Sequence, residues 1–404
     1  MRVVIEKGVA RGAIVAPPSK SMAHRLLICA AMSEGVSTVK GISSCEDVAA
    51  TLDCMSALGI RAEKHGDDVT VWGKDPHDLQ PTSSLYCKES GSTLRFLLPL
   101  ALISGRTTMF RGAEGLMRRP MSVYEDMCRE RGIVYLSDGE SITVKGPLDP
   151  GCFSVVGNIS SQFISGLIFA LPTLKGDSRI KITPPIESRS YIELTLDAVR
   201  TFGIDAVWEN EYTIFIKGNQ SYRPTDVSVE GDYSGAAFPD ALNLFGSEVE
   251  VEGLRRDSLQ GDSVYKKYYP MLERGIPTIS IGDCPDLGPV LFAVAAAKCG
   301  GVFSGTKRLK IKESDRAAAM AEELEKFGVS VSVHEDKVII YPKQFHSPTQ
   351  CLKGHNDHRI VMALAILCTL TGGEIDGAEA VSKSYPAFFE DLERLGIGVR
   401  RYEA

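Results

Sequence analysis

Five arginines (Arg25, Arg95, Arg119, Arg316 and Arg359) and three lysines (Lys20, Lys312 and Lys383) stand in short polar stretches rich in small residues. Guanidinium groups bind carboxylate or phosphate at two points, and ammonium groups serve as point charges on phosphate. Two carboxylates in the same kind of stretch, Asp286 and Glu313, suit general acid–base work. The pattern points to acid–base work beside a site for small anions. Any one of these cations alone reads more readily as a solvated surface charge. Their shared setting is what argues for a site.

The stretch Pro17-Pro18-Ser19-Lys20-Ser21-Met22-Ala23-His24-Arg25 shows that setting. Two prolines restrict the backbone, Ser19 and Ser21 can cap a helix, and Leu26, Leu27, Ile28, Ala30, Ala31 and Met32 continue it as an apolar one that Gly35 can end. Lys20 and Arg25 therefore flank a helix N-terminus, where backbone N–H groups already favour anions. Five further stretches repeat the design: Glu89-Ser90-Gly91-Ser92-Thr93, Asn158-Ile159-Ser160-Ser161-Gln162, Asp232-Tyr233-Ser234-Gly235, Asp283-Cys284-Pro285-Asp286 and Asn356-Asp357-His358-Arg359. Strongly apolar segments follow, among them Leu94–Ile103, Phe163–Leu171, Val290–Ala297 and Ile360–Leu370, and helices apolar on most faces are buried ones.

The elements that must position these residues form a long-period repeat. A helical stretch, a glycine and a β-branched residue recur six times, at Gly59-Ile60, Gly132-Ile133, Gly203-Ile204, Gly275-Ile276, Gly328-Val329 and Gly396-Ile397, about 70 residues apart except for one gap of about 50. Each glycine reads as a helix C′ residue, and alternating strands such as Val69-Thr70-Val71-Trp72 and Val338-Ile339-Ile340-Tyr341 follow. Each unit thus holds one buried helix, one amphipathic helix and several strands. Six units divide into two groups of three, with a boundary expected near the turn-rich stretch from Lys217 to Pro224. The first strand, Val3–Glu6, is expected to pair outside its own group. Asp47, ahead of an amphipathic helix, reads as a cap.

Other classes recede. The balance of 45 basic to 52 acidic residues, a net charge of −7, argues against nucleic acid. No apolar run is long enough to span a bilayer, and no signal-peptide pattern opens the chain. Ten cysteines without a C-x-x-C pair suggest a reducing cytoplasm and no disulfide framework or zinc site. There is no G-x-x-x-x-G-K-[ST] loop and no strand–GxGxxG–helix unit. His355 and His358 carry only a weak metal signal.

The loops Pro18-Ser19-Lys20-Ser21, Gly91-Ser92-Thr93-Leu94-Arg95, Arg119-Pro120-Met121, Ser160-Ser161-Gln162-Phe163, Lys312-Glu313-Ser314-Asp315-Arg316 and Asn356-Asp357-His358-Arg359 resemble, in order and across essentially the whole chain, those of the 5-enolpyruvylshikimate-3-phosphate synthase family. The resemblance implies an α/β (α+β) fold of two domains, each an inside-out α/β barrel of three βαβαββ-type units. The expected domains are 18–226 and 1–17 plus 227–404, with the active-site cleft between them. It implies transfer of the enolpyruvyl group of phosphoenolpyruvate to the 5-hydroxyl of shikimate 3-phosphate, on the route to chorismate, by a cytoplasmic monomer without cofactor or metal.

Carried over by position, Ser21 and Arg25 hold the shikimate carboxylate, and Ser160, Ser161 and Ser188 its phosphate, with Tyr191 bordering the site. Gln162, Asp286 and Lys312 contact the ring, its hydroxyls or the bridging oxygen. Lys20, Arg119 and Lys383 take the phosphoenolpyruvate phosphate, with Gly91 allowing close backbone approach and Gln162 alongside. Arg316 and Arg359 clamp its carboxylate. Glu313 exchanges a proton with the methylene carbon, Asp286 serves as base for the attacking hydroxyl, and Lys20 belongs to the catalytic set and to the shikimate 3-phosphate-binding set as well. Many family members carry Asn where this chain has Glu89. A carboxylate cannot donate the hydrogen bond an amide would, which bears on affinity for phosphoenolpyruvate and for mimics such as glyphosate. The related UDP-N-acetylglucosamine enolpyruvyl transferases usually carry a reactive cysteine or aspartate in a loop that here, at 112–119, has no cysteine. A non-catalytic or RNA-end-processing relative is disfavoured by the acidic charge and by the Asp286 and Glu313 pair.

Overall fold

The computed structural model describes residues 1–342 and 345–402. The chain divides into two compact units of mixed α/β structure, Lys20–Glu230 and Met1–Ser19 with Gly231–Ala404.

The unit Lys20–Glu230 contains helices α1 (Lys20–Ala31), α2 (Glu46–Ala57), α3 (Gly91–Ile103), α4 (Glu114–Met117), α5 (Ser122–Glu130), α6 (Ser161–Ala170) and α7 (Arg189–Thr201). Helices α1, α3 and α6 are buried on nearly every side, as their composition requires. In α6 alone Phe163, Ile164, Leu167, Ile168 and Phe169 are buried, each contributing roughly 1.5–3 kcal/mol of transfer free energy. Gly166 lets α6 close on α3: a side chain there would strike the Tyr124 hydroxyl and the Arg95 carbonyl.

Three four-stranded sheets cover this core with one repeated strand order: a short parallel edge strand, the strand after the buried helix, then the two strands of a hairpin in reverse. The first sheet runs Val227–Ser228, Gly35–Lys40, Asp68–Gly73, Arg61–His65. Its inward residues alternate, so Val69 and Val71 are buried between half-exposed neighbours, as Ile142 and Val144 are in the second sheet. The turn-rich 217–224 stretch stays with this unit, where the buried Tyr222 hydroxyl donates to the Phe169 carbonyl at 2.9 Å.

The other unit contains α8 (Tyr233–Ala241), α9 (Tyr265–Arg274), α10 (Gly288–Ala297), α11 (Arg316–Lys326), α12 (His358–Thr371) and α13 (Phe388–Arg394). Here α8, α10 and α12 are the buried helices. In the last sheet, Leu352–Lys353, Gly373–Asp376, Arg2–Ile5, Val399–Tyr402, the N-terminal strand takes the place that a hairpin strand fills elsewhere.

The fourth repeat departs from the expected pattern. Its sheet is only a parallel pair, Arg11–Val15 with Glu248–Glu252. Gly275 has φ 176°, extended rather than left-handed, whereas the other five repeat glycines have φ between 65° and 89°. Without a hairpin after α9, the chain passes straight to Thr278–Ser280, the edge of the next sheet, and the next repeat glycine comes early. That missing hairpin is the cause of the short gap.

Among the described residues no helix is long and apolar enough to cross a membrane. All ten cysteines carry free thiols.

Candidate active site

In the unit Lys20–Glu230 most candidate residues sit in the first turns of helices, while Arg119 follows the end of α4. Arg25, on the first turns of α1, is buried, and its guanidinium donates to the Ser21 carbonyl (2.6 Å), the Tyr191 carbonyl (2.9 Å) and Thr195 Oγ1 (2.8 Å). It also lies over the rings of Phe96 and Tyr191, at 5.1 and 5.9 Å. All its protein acceptors are neutral, and burial pulls its pKa down to about 10. A buried cation with no carboxylate beside it is costly unless something anionic completes it. Ser188 occupies the N-cap position of α7 in the left-handed conformation, φ 57°, without a side-chain capping bond. The loop before it is tied to the loop before α6 by Glu187 N–H to the Gly157 carbonyl at 3.1 Å. Ser160 caps α6 through Gln162 N–H (3.3 Å), and Ser161 begins the helix; both serines are buried.

A second cluster gathers around Gly91, the first residue of α3. A Cβ there would lie 3.1 Å from Arg119 Nη1, 3.3 Å from Arg95 Nη1 and 3.5 Å from Gln162 Oε1. Glycine therefore leaves the space in which these groups converge. Gln162 accepts from Arg95 (2.7 Å) and donates to Ser92 Oγ (2.9 Å), while Arg95 also reaches the Pro120 carbonyl (3.1 Å). Lys88, beside Glu89, faces Asp53 at 3.8 Å.

Lys20 is held by Asp47, Nζ to Oδ2 at 2.8 Å. Asp47 is thus not the expected cap: Cys45 occupies the N-cap of α2, with no side-chain hydrogen bond there. The carboxylate instead orients the lysine, a role that depends on the approach of α1 and α2. Behind it runs a buried chain, His24 Nδ1 to Thr51 Oγ1 (2.8 Å), Thr51 to Thr93 Oγ1 (2.7 Å) and Thr93 to Ser90 Oγ (2.7 Å), joining α1, α2 and the N-cap of α3. With the Thr93 hydroxyl donating to Ser90, each hydroxyl has one proton to give. Thr51 must then donate to Thr93, and His24 Nδ1–H to Thr51. Burial first, then Lys20 and Arg25, hold the His24 pKa well below its ordinary 6.5, so the ring is neutral.

In the other unit the centre is Arg316, the first residue of α11 and 1% exposed. Its Nε donates to Asp357 Oδ2 (2.8 Å), Nη1 to Asp286 Oδ1 (2.7 Å), and Nη2 to Glu313 Oε2 (2.7 Å) and Asp357 Oδ1 (3.3 Å). Burial works against this charge, but Asp357, Glu313 and Asp286 together raise its pKa above the ordinary value. Asp286 also accepts from Lys312 Nζ (3.1 Å) and Arg359 Nη2 (3.3 Å). Burial lowers the pKa of Lys312; Asp286 opposes the shift, and Arg308 and Arg316 add to it. Lys383 Nζ donates to Asn356 at its backbone oxygen (2.6 Å) and at Oδ1 (2.8 Å). Asp286, Lys312, Glu313, Arg316 and Arg359 thus form one network, with Asp357 as its buried base.

Asp357, Asn356 and Asp47 take roles here that no local pattern assigns them. Asp357 had a signal, an Asp directly before an apolar helix, and it does cap α12 through Arg359 N–H at 2.9 Å. Its second task, gripping Arg316, needs the fold. The two histidines do not converge: His358 is buried in α12, whereas His355 Nε2 bonds Glu323 Oε1 at 2.9 Å. Glu322, Glu323 and His355 are ligand types lying close together, but Lys326 already occupies the Glu323 carboxylate.

A family model described as EPSP synthase (3-phosphoshikimate 1-carboxyvinyltransferase) matches residues 6–392. A 3-phosphoshikimate 1-carboxyvinyltransferase of Clostridium kluyveri is 39% identical over 412 aligned positions, covering 95% of each chain. One of Clostridium perfringens is 39% identical over 429, covering 100% of each. Among solved structures, an EPSP synthase of Acinetobacter baumannii aligns with TM-score 0.81 at 25% identity, covering 99% of this chain and 100% of that one. The enolpyruvyl transferase NikO of Streptomyces tendae aligns with TM-score 0.80 at 15% identity over 100% and 99%, a likeness of fold. On a match that runs nearly end to end, this chain belongs to the EPSP synthase family, the 3-phosphoshikimate 1-carboxyvinyltransferases.

Proposed function

We propose that the protein transfers the enolpyruvyl group of phosphoenolpyruvate to the 5-hydroxyl of shikimate 3-phosphate, releasing phosphate. The observation that carries this reading is that Asp286 and Glu313 are both bonded to the Arg316 guanidinium, at 2.7 Å each. An addition–elimination at an enol phosphate needs two proton-transfer groups held close together, one for carbon and one for oxygen.

In the addition step, Glu313 gives a proton to the methylene carbon as the substrate hydroxyl attacks the neighbouring carbon and loses its proton to Asp286. In the elimination step, phosphate leaves with that proton and Glu313 takes one back from the methyl group, restoring the double bond. Lys312, between Asp286 and the substrate, stabilises charge on the bridging oxygen. Arg316 and Arg359 bind the phosphoenolpyruvate carboxylate, which requires Arg316 to exchange part of its present carboxylate set for the substrate's. Lys20, Arg119, Gln162, Lys383 and the backbone at Gly91 receive its phosphate. Arg25 and Ser21 receive the shikimate carboxylate, which supplies the anion that Arg25 lacks among its protein partners. Ser160, Ser161 and Ser188 receive the other phosphate, at helix N-termini that favour it. Holding two reactants in place lowers such a barrier by up to roughly 7–11 kcal/mol. The all-thiol cysteine set supports a cytoplasmic enzyme.

The test is phosphate release from phosphoenolpyruvate with shikimate 3-phosphate, and separately with UDP-N-acetylglucosamine. Turnover is expected only with the first; turnover only with the second overturns the reading. Glu313→Gln is expected to bind both substrates, seen by calorimetry, while turnover falls at least about a hundredfold, the lower end for a lost acid–base group.

A further inference from the structure

His355 and Asn356 are consecutive non-glycine residues in the left-handed region, with φ 50° and 53°. His and Asn tolerate that conformation better than most L residues, but two in succession still need support from their surroundings. Beside this turn lies a fully buried carboxylate, Glu323 on α11. Glu323 Oε1 accepts from His355 Nε2 at 2.9 Å, Oε2 accepts from the Lys353 amide at 2.9 Å, and both oxygens accept from Lys326 Nζ at 2.8 Å. Lys326 also reaches the Cys351 carbonyl at 3.2 Å. Burial alone would raise the Glu323 pKa, but these bonds hold it below its ordinary value.

The left-handed pair leads directly to the site. Asn356 presents its backbone oxygen and Oδ1 to Lys383, and the next residue, Asp357, grips Arg316. Seven residues, two helical turns, separate Arg316 from Glu323, so both lie on one face of α11. The loop 355–357 is thus bolted to α11 twice, at Asp357 by Arg316 and at His355 by Glu323. None of the chemistry assigned above uses the second bolt.

We infer that Glu323 and His355 are positioning residues for phosphoenolpyruvate: their hydrogen bond holds the left-handed turn that aims Lys383 through Asn356. This rests on reading Lys383 as a phosphoenolpyruvate cation. Asn tolerates the left-handed conformation but is too short to reach Glu323, so His355→Asn removes the bolt without adding backbone strain. Steady-state phosphate release is the measurement, with both substrates varied. His355→Asn and Glu323→Gln are each expected to raise KM for phosphoenolpyruvate about tenfold, leaving KM for shikimate 3-phosphate and kcat within about twofold. His355→Gln, whose amide can donate to Glu323, is expected to recover most of the affinity. Glu323→Gln added to His355→Asn is expected to raise KM no further. A purely structural role would lower the melting temperature and leave the two KM values moving together. That outcome, or a phosphoenolpyruvate KM within twofold of the parent in His355→Asn, overturns the inference. Should Glu323→Gln fail to fold, His355→Asn and His355→Gln still decide it. Lys383→Met separates the two readings: if it leaves KM for phosphoenolpyruvate unchanged, the assignment of Lys383 is at fault rather than the bolt.

Discussion

At Arg25, stability and the proposed function pull apart. Its guanidinium is buried among carbonyls, a hydroxyl and two aromatic rings, with burial lowering its pKa to about 10. Burying an unneutralised charge costs stability, and apolar replacement of buried charges is often neutral or favourable. Arg25→Met is therefore expected to keep or raise the thermal midpoint. Its loss of a charge-assisted bond, worth about 1.5–3 kcal/mol, is expected to raise KM for shikimate 3-phosphate roughly ten- to hundredfold. A fall in melting temperature with KM unchanged would make Arg25 a structural residue. Arg316 is the opposite case, a buried cation matched by Asp286, Glu313 and Asp357 inside the protein. The sequence shows two similar arginines in polar loops; only the partner sets distinguish them.

Helix starts are the elements that carry the site, and their mutual placement is maintained from behind. The buried chain from His24 through Thr51 and Thr93 to Ser90 ties α1 and α2 to the cap of α3. The neutral His24 gives this device a pH signature. Its folded pKa lies well below its ordinary value of 6.5. As pH falls below about 6.5 the unfolded chain takes up a proton that the folded one refuses, so stability falls with pH, by up to about 1.4 kcal/mol per unit. Above pH 6.5 both states are neutral and this contribution is absent. Chemical denaturation of the parent and of His24→Asn between pH 5 and 7.5 checks this. The parent is expected to lose stability more steeply on acidification, by about one proton's worth, and parallel curves would refute the assignment. The helices, their apolar faces and their polar starts were legible because 3.6-residue periodicity and small capping residues are local signals. Asp47 has the sequence setting of a cap but holds Lys20, because which of a carboxylate's possible partners wins is decided by packing between helices.

At the scale of the whole molecule, the chain closes its last repeat with its first strand. Arg2–Ile5 lies between Gly373–Asp376 and Val399–Tyr402, with Val3 and Ile5 buried. Removing residues 1–6 is expected to leave Gly373–Asp376 an open edge, paired only with Leu352–Lys353, and to take from Val399–Tyr402 the strand it pairs with. Hydrogen exchange should then show lost protection at 373–376 and 399–402, with protection in the unit Lys20–Glu230 retained. Unchanged protection in the last sheet would mean that the strand is dispensable. The sequence by itself determined the six repeats, the buried helices, the family and the residues able to bind anions or move protons, because periodicity, capping chemistry and loop motifs are written locally. Tertiary structure alone decided that the fourth repeat forgoes its hairpin, that Asp357 serves Arg316 as well as its own helix, and that Glu323 reaches across to His355. Those outcomes depend on which distant groups meet once the core has packed, and no local spacing encodes that meeting.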